Sequence, residues 1–252
     1  MDIIWTYIRN YKKNLSLGII ILFIANSFIS CKKDNKSNNP IAQPPVFNSS
    51  LTYGTMTDQD GITYKTIQIG KQVWMAENLR TTKYNDGKDI PHVITKEELF
   101  KLDSGAYCIY NNTFQVDYGA VYGRLYNWFA VNTGKLAPVG WHIPTMSEWD
   151  TLITLLVGEV IAGGKMKEVG ILHWTNPNIG ATNESGFTAL PSGQGNDTSI
   201  SFGSDSATGD WWSSSGFGDT FSFVCYMYFS DGMATIGTNY KKLGISVRCV
   251  KD

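Results

Sequence analysis

From about Tyr53 onward the chain alternates short apolar and polar runs separated by Gly, Asn and Asp, the pattern of half-buried strands joined by tight turns. Two such runs, TYKTIQIG and KQVWMAEN, meet at Gly70-Lys71. Glycine at the first position of a two-residue loop suits a type II′ turn, so a hairpin is predicted there. Helical spacing shows at fewer places. Thr95 with Glu98, and Thr145 with Glu148, each set a hydroxyl and a carboxylate three residues apart. That is the spacing of a capping box, in which each side chain bonds the other's backbone N–H. Behind the second box Trp149, Leu152, Ile153 and Leu156 form one apolar stripe, and Pro144 keeps the helix from running backwards. In GRLYNWFAVN, residues 123–132, Leu125, Trp128 and Phe129 fall at i, i+3 and i+4. A third short helix is predicted there, with an aromatic strand as the other reading. Beyond Gly158 the chain reads as loops and strands, including a Gly-, Asn- and Ser-rich stretch from 174 to 208. Within it PSGQGNDTSISFGSDS carries no element of its own, and long loops of this kind are commonly where binding happens.

The first fifty residues follow a different pattern. Arg9, Lys12 and Lys13 precede LSLGIIILFIANSFIS, an uncharged and mostly apolar run that has the form of a secretory signal. As a helix it would span roughly 24 Å at about 1.5 Å per residue, short of the roughly 30 Å hydrocarbon core, so a cleaved signal is preferred to a permanent span. FISC, residues 28–31, resembles the lipobox of bacterial lipoproteins, which implies acyl chains on Cys31 after cleavage; an ordinary cleaved signal is the alternative. Several chains on one cysteine would hold the protein firmly to a bilayer. Residues 31–52 are polar, interrupted by proline and free of apolar periodicity, and are expected to form a flexible tether to a domain spanning 53–252. A cell-envelope location follows, at the outer membrane, facing the periplasm or the exterior.

Composition narrows the chemistry. A chain of 252 residues with 42% hydrophobic and 13% aromatic side chains has ample material for a packed core. Lys plus Arg number 21 against 22 Asp plus Glu, and removing the signal, with its three basic residues and one acidic one, leaves a net charge of −3. With no basic excess, nucleic acid is not an expected partner. No zinc-binding HEXXH and no GXSXG nucleophile elbow occurs. His142, in GWHIPTMSEWDTL, has no carboxylate or second histidine at ligand spacing and reads as structural, and His173 beside Trp174 reads as a loop residue. Asp58-Gln59-Asp60-Gly61 looks like the start of a calcium loop but lacks the later ligands, so it reads as a turn. No catalytic residues are assigned.

Several segments in fixed order carry a resemblance: WMAENLRTTKYNDG, GAYCIYNN, YGRLYNWFAV, KLAPVGWHIPTMSEWDTL, AGGKMKE, GATNESGFTALPSG, WWSSS and SVRCVKD. Over about residues 55–252 the chain resembles the Fibrobacter succinogenes major paralogous domain, a family of exported bacterial proteins. That family is similar in turn to C-type-lectin-like folds and to the formylglycine-generating sulfatase-modifying enzymes. The resemblance implies an α+β fold, C-type-lectin-like, with two or three helices on small twisted antiparallel sheets and a long loop region on one face. It implies no particular ligand.

With Cys31 lipidated, Cys108, Cys225 and Cys249 remain, an odd number for an oxidising compartment. On the lectin-like fold Cys249 would lie in the last strand and Cys108 ahead of the first helix, which favours a Cys108–Cys249 disulfide, with Cys225–Cys249 as the alternative. Cys225, among apolar neighbours, reads as a buried thiol. The paired reactive thiols of the formylglycine-generating enzymes have no counterpart. Lectin-type calcium sites use an acidic residue before a proline, an asparagine after it, and a later Trp-Asn-Asp. Here Asn176-Pro177-Asn178, Asn183-Glu184 and Asp210-Trp211-Trp212 stand instead, so no cofactor is expected, with calcium as the weaker alternative. Neighbours on a strand point to opposite faces, so Trp211 and Trp212 cannot enter one core. One of them, with Trp174, is a candidate to bind a sugar ring or peptide beside Asn176, Asn178, Asn183 and Glu184, with a second packing layer that hides it as the alternative. The function expected is a non-catalytic envelope module that binds a glycan or protein partner through this rim, with a structural envelope protein or an envelope-polymer hydrolase as rivals.

Overall fold

A computed structural model describes residues 43–109, 118–192 and 206–252. Along the chain come β1 (Gly54–Thr57), β2 (Thr63–Ile69), β3 (Gln72–Met75), α1 (Lys96–Lys101), β4 (Tyr107–Ile109), α2 (Tyr118–Tyr122), β5 (Arg124–Tyr126) and α3 (Trp128–Val131). They are followed by β6 (Trp141–His142), α4 (Met146–Leu155), α5 (Glu159–Met166), β7 (Thr208–Phe217), β8 (Phe221–Tyr228), β9 (Thr235–Tyr240) and β10 (Val250–Lys251). The fold is α+β. Short helices accompany antiparallel sheets: five strands in the order β1-β2-β3-β10-β6, the pair β4-β5, and the three-stranded β7-β8-β9.

The local signals in the sequence act as expected. In the β2–β3 hairpin Ile69 pairs with Gln72 across Gly70-Lys71, and Gly70 has φ +61° while Lys71 stays out of the left-handed region, as a II′ turn requires. Both capping boxes close: Glu148 N–H donates to Thr145 Oγ1 at 3.2 Å and Thr145 N–H to Glu148 Oε2 at 2.8 Å, with the same reciprocal pair at Thr95 and Glu98. The stripe of α4, Trp149, Leu152 and Ile153 with the cap Leu156, is buried. In the Asp58–Gly61 turn the carboxylates bond the chain itself: Asp58 Oδ1 accepts from the N–H groups of Asp60 and Ile62, and Asp60 Oδ2 accepts from Thr81 and Thr82.

Elsewhere the structure corrects the sequence reading. Residues 123–132 do not make one helix. Arg124–Tyr126 is a strand, and Asn127 then caps the single turn of α3 by accepting from Ala130 N–H. The segment after Gly158, read as loop, is the helix α5. Its Gly163 and Gly164 disfavour a helix on propensity alone, but a β-carbon at either would run into the backbone of Met233 or Gly180, so both are needed for the close approach. The tether expected to reach residue 52 ends earlier. From Gln43 the chain is a strap laid on the domain: Val46 N–H donates to Glu168 Oε1 at 2.5 Å, His173 Nε2–H to Gln43 O at 2.9 Å and Asn48 Nδ2 to Asn183 O at 3.0 Å. Cys31 and the rest of the tether lie outside the described residues.

Two large apolar clusters divide at β7. One holds Tyr126, Trp128, Trp212, Val224, Ile245 and Val247; the other holds Trp74, Trp149, Trp174, Phe187, Trp211 and Cys225. This arrangement also overturns the expected disulfide. Cys108, Cys225 and Cys249 are all free and buried, each in a different cluster: Cys108 with Leu99 and Leu125, Cys225 with Trp211, Cys249 with Met75. Burial raises all three thiols well above their ordinary range, which leaves them unreactive core groups.

Candidate binding surface

Of the rim residues expected to bind, most face inward. Trp174, Trp211 and Trp212 are at most 1% exposed. Trp211 and Trp212 do enter different cores, as strand alternation demands, but β7 has a core on each side at this point and neither ring reaches solvent. Each indole N–H has an internal acceptor: Trp174 bonds Ala189 O at 2.9 Å, Trp211 bonds Asn78 Oδ1 at 2.8 Å and Trp212 bonds Tyr126 O at 2.7 Å. A buried indole needs such a partner, so these rings are fixed elements of the core.

The polar rim residues are braces for irregular backbone. Asn178 and Asn183 are buried with φ +49°, a left-handed conformation that asparagine tolerates. Asn178 Nδ2 donates to Glu168 O and Gly170 O, and Asn183 both accepts from Thr188 N–H and donates to Thr188 Oγ1. Asn176 and Glu184 are exposed, Glu184 paired with Lys165 at 2.7 Å. Beneath them Lys167 donates to the carbonyls of Ile179, Tyr228 and Asp231, and burial pulls its ammonium down to about 8. Residues 193–205, the centre of the expected rim loop, lie outside the described residues.

His142 and His173 are also anchored. His173 donates Nδ1–H to Glu168 Oε2 at 2.6 Å and Nε2–H to Gln43 O. Because both ring nitrogens face acceptors, the pair holds a proton between them, and although burial opposes it, the bond to Glu168 raises the imidazole above its usual range. His142 sits between two carboxylates, Asp252 Oδ1 at Nδ1 and Glu148 Oε1 at Nε2, both 2.7 Å away. Glu148 stands only six residues along the chain, in α4, whereas Asp252 comes from 110 residues away and was not legible from the sequence neighbourhood. Desolvation lowers the His142 pKa, but the two hydrogen bonds outweigh it and raise it. Among the described residues no group of three or more His, Cys, Asp or Glu side chains is placed to hold a metal.

What the molecule leaves on its surface is a different aromatic set. Phe221 stands opposite Phe217 on one side and Tyr240 on the other, and Phe223 lies two residues along on the same face. Phe217 and Tyr240 are 52% and 50% exposed, and the other two half-buried. The rings pair as Phe217–Phe223, edge to face at 5.3 Å, and Phe221–Tyr240, tilted at 4.5 Å. On β8 the same alternation that carries Cys225 and Met227 into the α4 cluster carries Phe221 and Phe223 out beyond it. The period of two in FSFV was the signal for this face; its exposure depends on how far α4 reaches, which no local pattern states.

The comparison with protein families decides the kinship, since the model of the Fibrobacter succinogenes major domain matches residues 67–251. The chain belongs to that family. No curated protein and no solved structure matches it. The match to the Fibrobacter succinogenes major domain begins at Ile67, inside β2, so β1 and the strap lie ahead of it. Yet Phe47, Leu51 and Tyr53 pack on the same cluster as Trp74 and Trp149. Arg248, of the SVRCVKD segment, is fully buried and ties the family's pieces together. It donates to Asn78 Oδ1 and Thr188 O, both at 2.8 Å, and to the carbonyls of Met75 and Phe187. Burial lowers its pKa to about 9, which still leaves it cationic at neutral pH, over the ring of Phe187 at 4.1 Å.

Proposed function

We propose that this protein is a lipid-anchored binding module of the bacterial cell envelope, non-catalytic, that recognises a glycan or protein partner through the aromatic face of β7, β8 and β9. The observation that carries the reading is the set of four rings at Phe217, Phe221, Phe223 and Tyr240, left at the surface while Trp174, Trp211 and Trp212 are buried. Soluble surfaces rarely leave aromatic groups contiguous unless a partner covers them. Rings borne on a sheet are held rigidly, so little ordering entropy opposes binding. Thr238, directly opposite Phe223, adds an exposed and uncharged hydrogen-bonding group to this face, suited to hydroxyl-rich or polar partners.

Position supports the same reading. The strap enters at Gln43 beside His173, and Thr175 N–H bonds Ser206 O at the start of β7. The aromatic face lies at the far end of that strand, roughly 30 Å away at about 3.3 Å per residue. The described part of the strap therefore leaves this face uncovered. A C-type-lectin-like arrangement, supported by α4 laid against antiparallel strands, belongs to the same proposal, as does a non-catalytic role, supported by the anchoring of His142 and His173. Among the described residues no helix is long and apolar enough to cross a membrane.

The test uses the full-length protein in detergent, on a glycan array and in capture from envelope extracts, beside the double variant Phe217→Ala/Tyr240→Ala. The proposal expects a partner whose retention falls about tenfold or more in the variant, the range of a surface aromatic anchor. Absence of any partner in both assays would leave the structural envelope role in its place. Mass spectrometry of the mature N-terminus tests the anchor separately, the expected result being an acylated Cys31.

A further inference from the structure

A concavity of about 470 Å³ lies where the strap meets the edge of the five-stranded sheet. Phe47, Ser49, Leu51 and Tyr53 form its strap side, and Thr55 and Lys65, directly opposite each other on β1 and β2, form its sheet side. The rings of Phe47 and Tyr53 meet edge to face with centroids 5.3 Å apart. Lys65 Nζ stands 4.1 Å from the Phe47 centroid and 5.3 Å from that of Tyr53. Lys65 is exposed, and among the described residues no carboxylate lies within ion-pairing distance of its ammonium. The strap side of the wall is held in place. Asn48 Oδ1 accepts from Ser50 N–H and Oγ–H, Asn48 N–H donates to Tyr53 Oη at 3.3 Å, and Glu168 and His173 grip the strap just upstream. Gly186 makes the seat possible, since a β-carbon there would collide with Leu51, Ile67 and Tyr53.

A preformed hollow of this size suits a small ligand. Its chemistry is specific: one cation with no carboxylate partner, held over two aromatic rings, and the hydroxyl-bearing Ser49 and Thr55 in the lining. A single ammonium matches a single carboxylate; a phosphate dianion calls for more donors, as an arginine cluster supplies. Aromatic rings offer an apolar bed for the C–H face of a sugar, and short hydroxyls suit its ring oxygens. The geometry points to a binding site for a carboxylate-bearing pyranose, a uronic-acid residue, with Lys65 as the partner of the carboxylate and the edge-to-face rings of Phe47 and Tyr53 as the apolar wall beside it. The site is separate from the aromatic face of β7, β8 and β9, and either can fail without the other.

The test is saturation-transfer NMR and calorimetry on the full-length protein in detergent, at fixed ionic strength, with sodium glucuronate as ligand. Glucose serves as the neutral control and sodium acetate as the bare carboxylate. Saturable binding of glucuronate in the millimolar range, on the order of 4 kcal/mol, is expected, with neither control matching it. Lys65→Met is expected to weaken it about tenfold, Lys65→Arg to keep it within a few-fold, and Phe47→Ala to weaken it several-fold. Phe217→Ala/Tyr240→Ala is expected to leave it unchanged. Because Lys65 is exposed, an unchanged melting temperature certifies each comparison. Equal binding of glucose, binding by Lys65→Met at wild-type strength, or no saturable binding up to about 50 mM would each overturn the assignment.

Discussion

The two aromatic groups served by β7 and β8 differ in what lies above them. Around Trp211 and Trp212 the strand β7 is covered on both faces, one ring joining the cluster of Trp149 and Phe187 and the other that of Tyr126 and Val224. Past the register shift between Trp212 and Gly216 the cover ends, and Phe217, Phe221, Phe223 and Tyr240 stay at the surface. Alternation along a strand therefore predicts which residues share a face, and it does so correctly for both groups. Whether that face is exposed is decided by the next layer. The indole N–H sharpens the contrast: each tryptophan finds an acceptor inside, whereas the phenylalanines have no polar atom that needs one.

The largest effect that can break this comparison is on stability. Trp211→Ala or Trp212→Ala should lower unfolding stability by about 3–5 kcal/mol, through the cavity left and the acceptor stranded, as read from urea midpoints. A loss under about 1 kcal/mol would mean that those rings are not packed as described. Next comes the rim: Asn183→Ala should lose about 1–3 kcal/mol, because Thr188 N–H is buried and would go unpaired, while leaving partner binding untouched. Thr145→Ala should lose about 1 kcal/mol, the worth of a helix cap, with the far-ultraviolet spectrum nearly unchanged.

A smaller effect is expected from pH. His142 has a folded-state pKa raised above 6.5, so its contribution is complete below 6.5 and is lost as pH rises through the folded value. Urea midpoints should therefore fall as pH is raised from about 6 to 8, and the fall should shrink in His142→Asn, with the remainder set by His173, which shifts in the same direction. Glu148, held below its usual range, acts at the other end: its stabilisation is present above about 4.5 and fades as pH falls through the lower folded value. Smallest of all on stability is Phe217→Ala, at about 0.5 kcal/mol or less, because the ring is half in water. The same change should produce the largest loss of binding.

What was legible in the chain was local and self-contained. The capping boxes at Thr95 and Thr145, the Gly70 turn, the α4 stripe and the buried Cys225 each depend on residues a few positions apart. The features that were not legible depend on a distant partner. The glycines of α5 look like helix breakers until Met233 and Gly180 are brought against them. Residues 43–52 look like a tether until Glu168, His173 and Asn183 are seen to take up their backbone and amide groups. Cys108 and Cys249 looked like a pair on a lectin-like fold, but they enter separate clusters. His142 takes one carboxylate, Glu148, from its own segment, at a spacing that matches no ligand motif, and the second, Asp252, from 110 residues away. Of the expected site, only Asn176 and Glu184 remain outward-facing.

The central claim is that recognition belongs to the exposed phenylalanine and tyrosine face and that the tryptophan rim is scaffold. Hydrogen–deuterium exchange of the full-length protein, with and without a partner captured from envelope extracts, reads this directly. The account predicts new protection in peptides covering residues 214–223 and 236–241, with residues 172–190 unchanged. Protection confined to 172–190, with the β8 and β9 peptides exchanging as in the free protein, would contradict it.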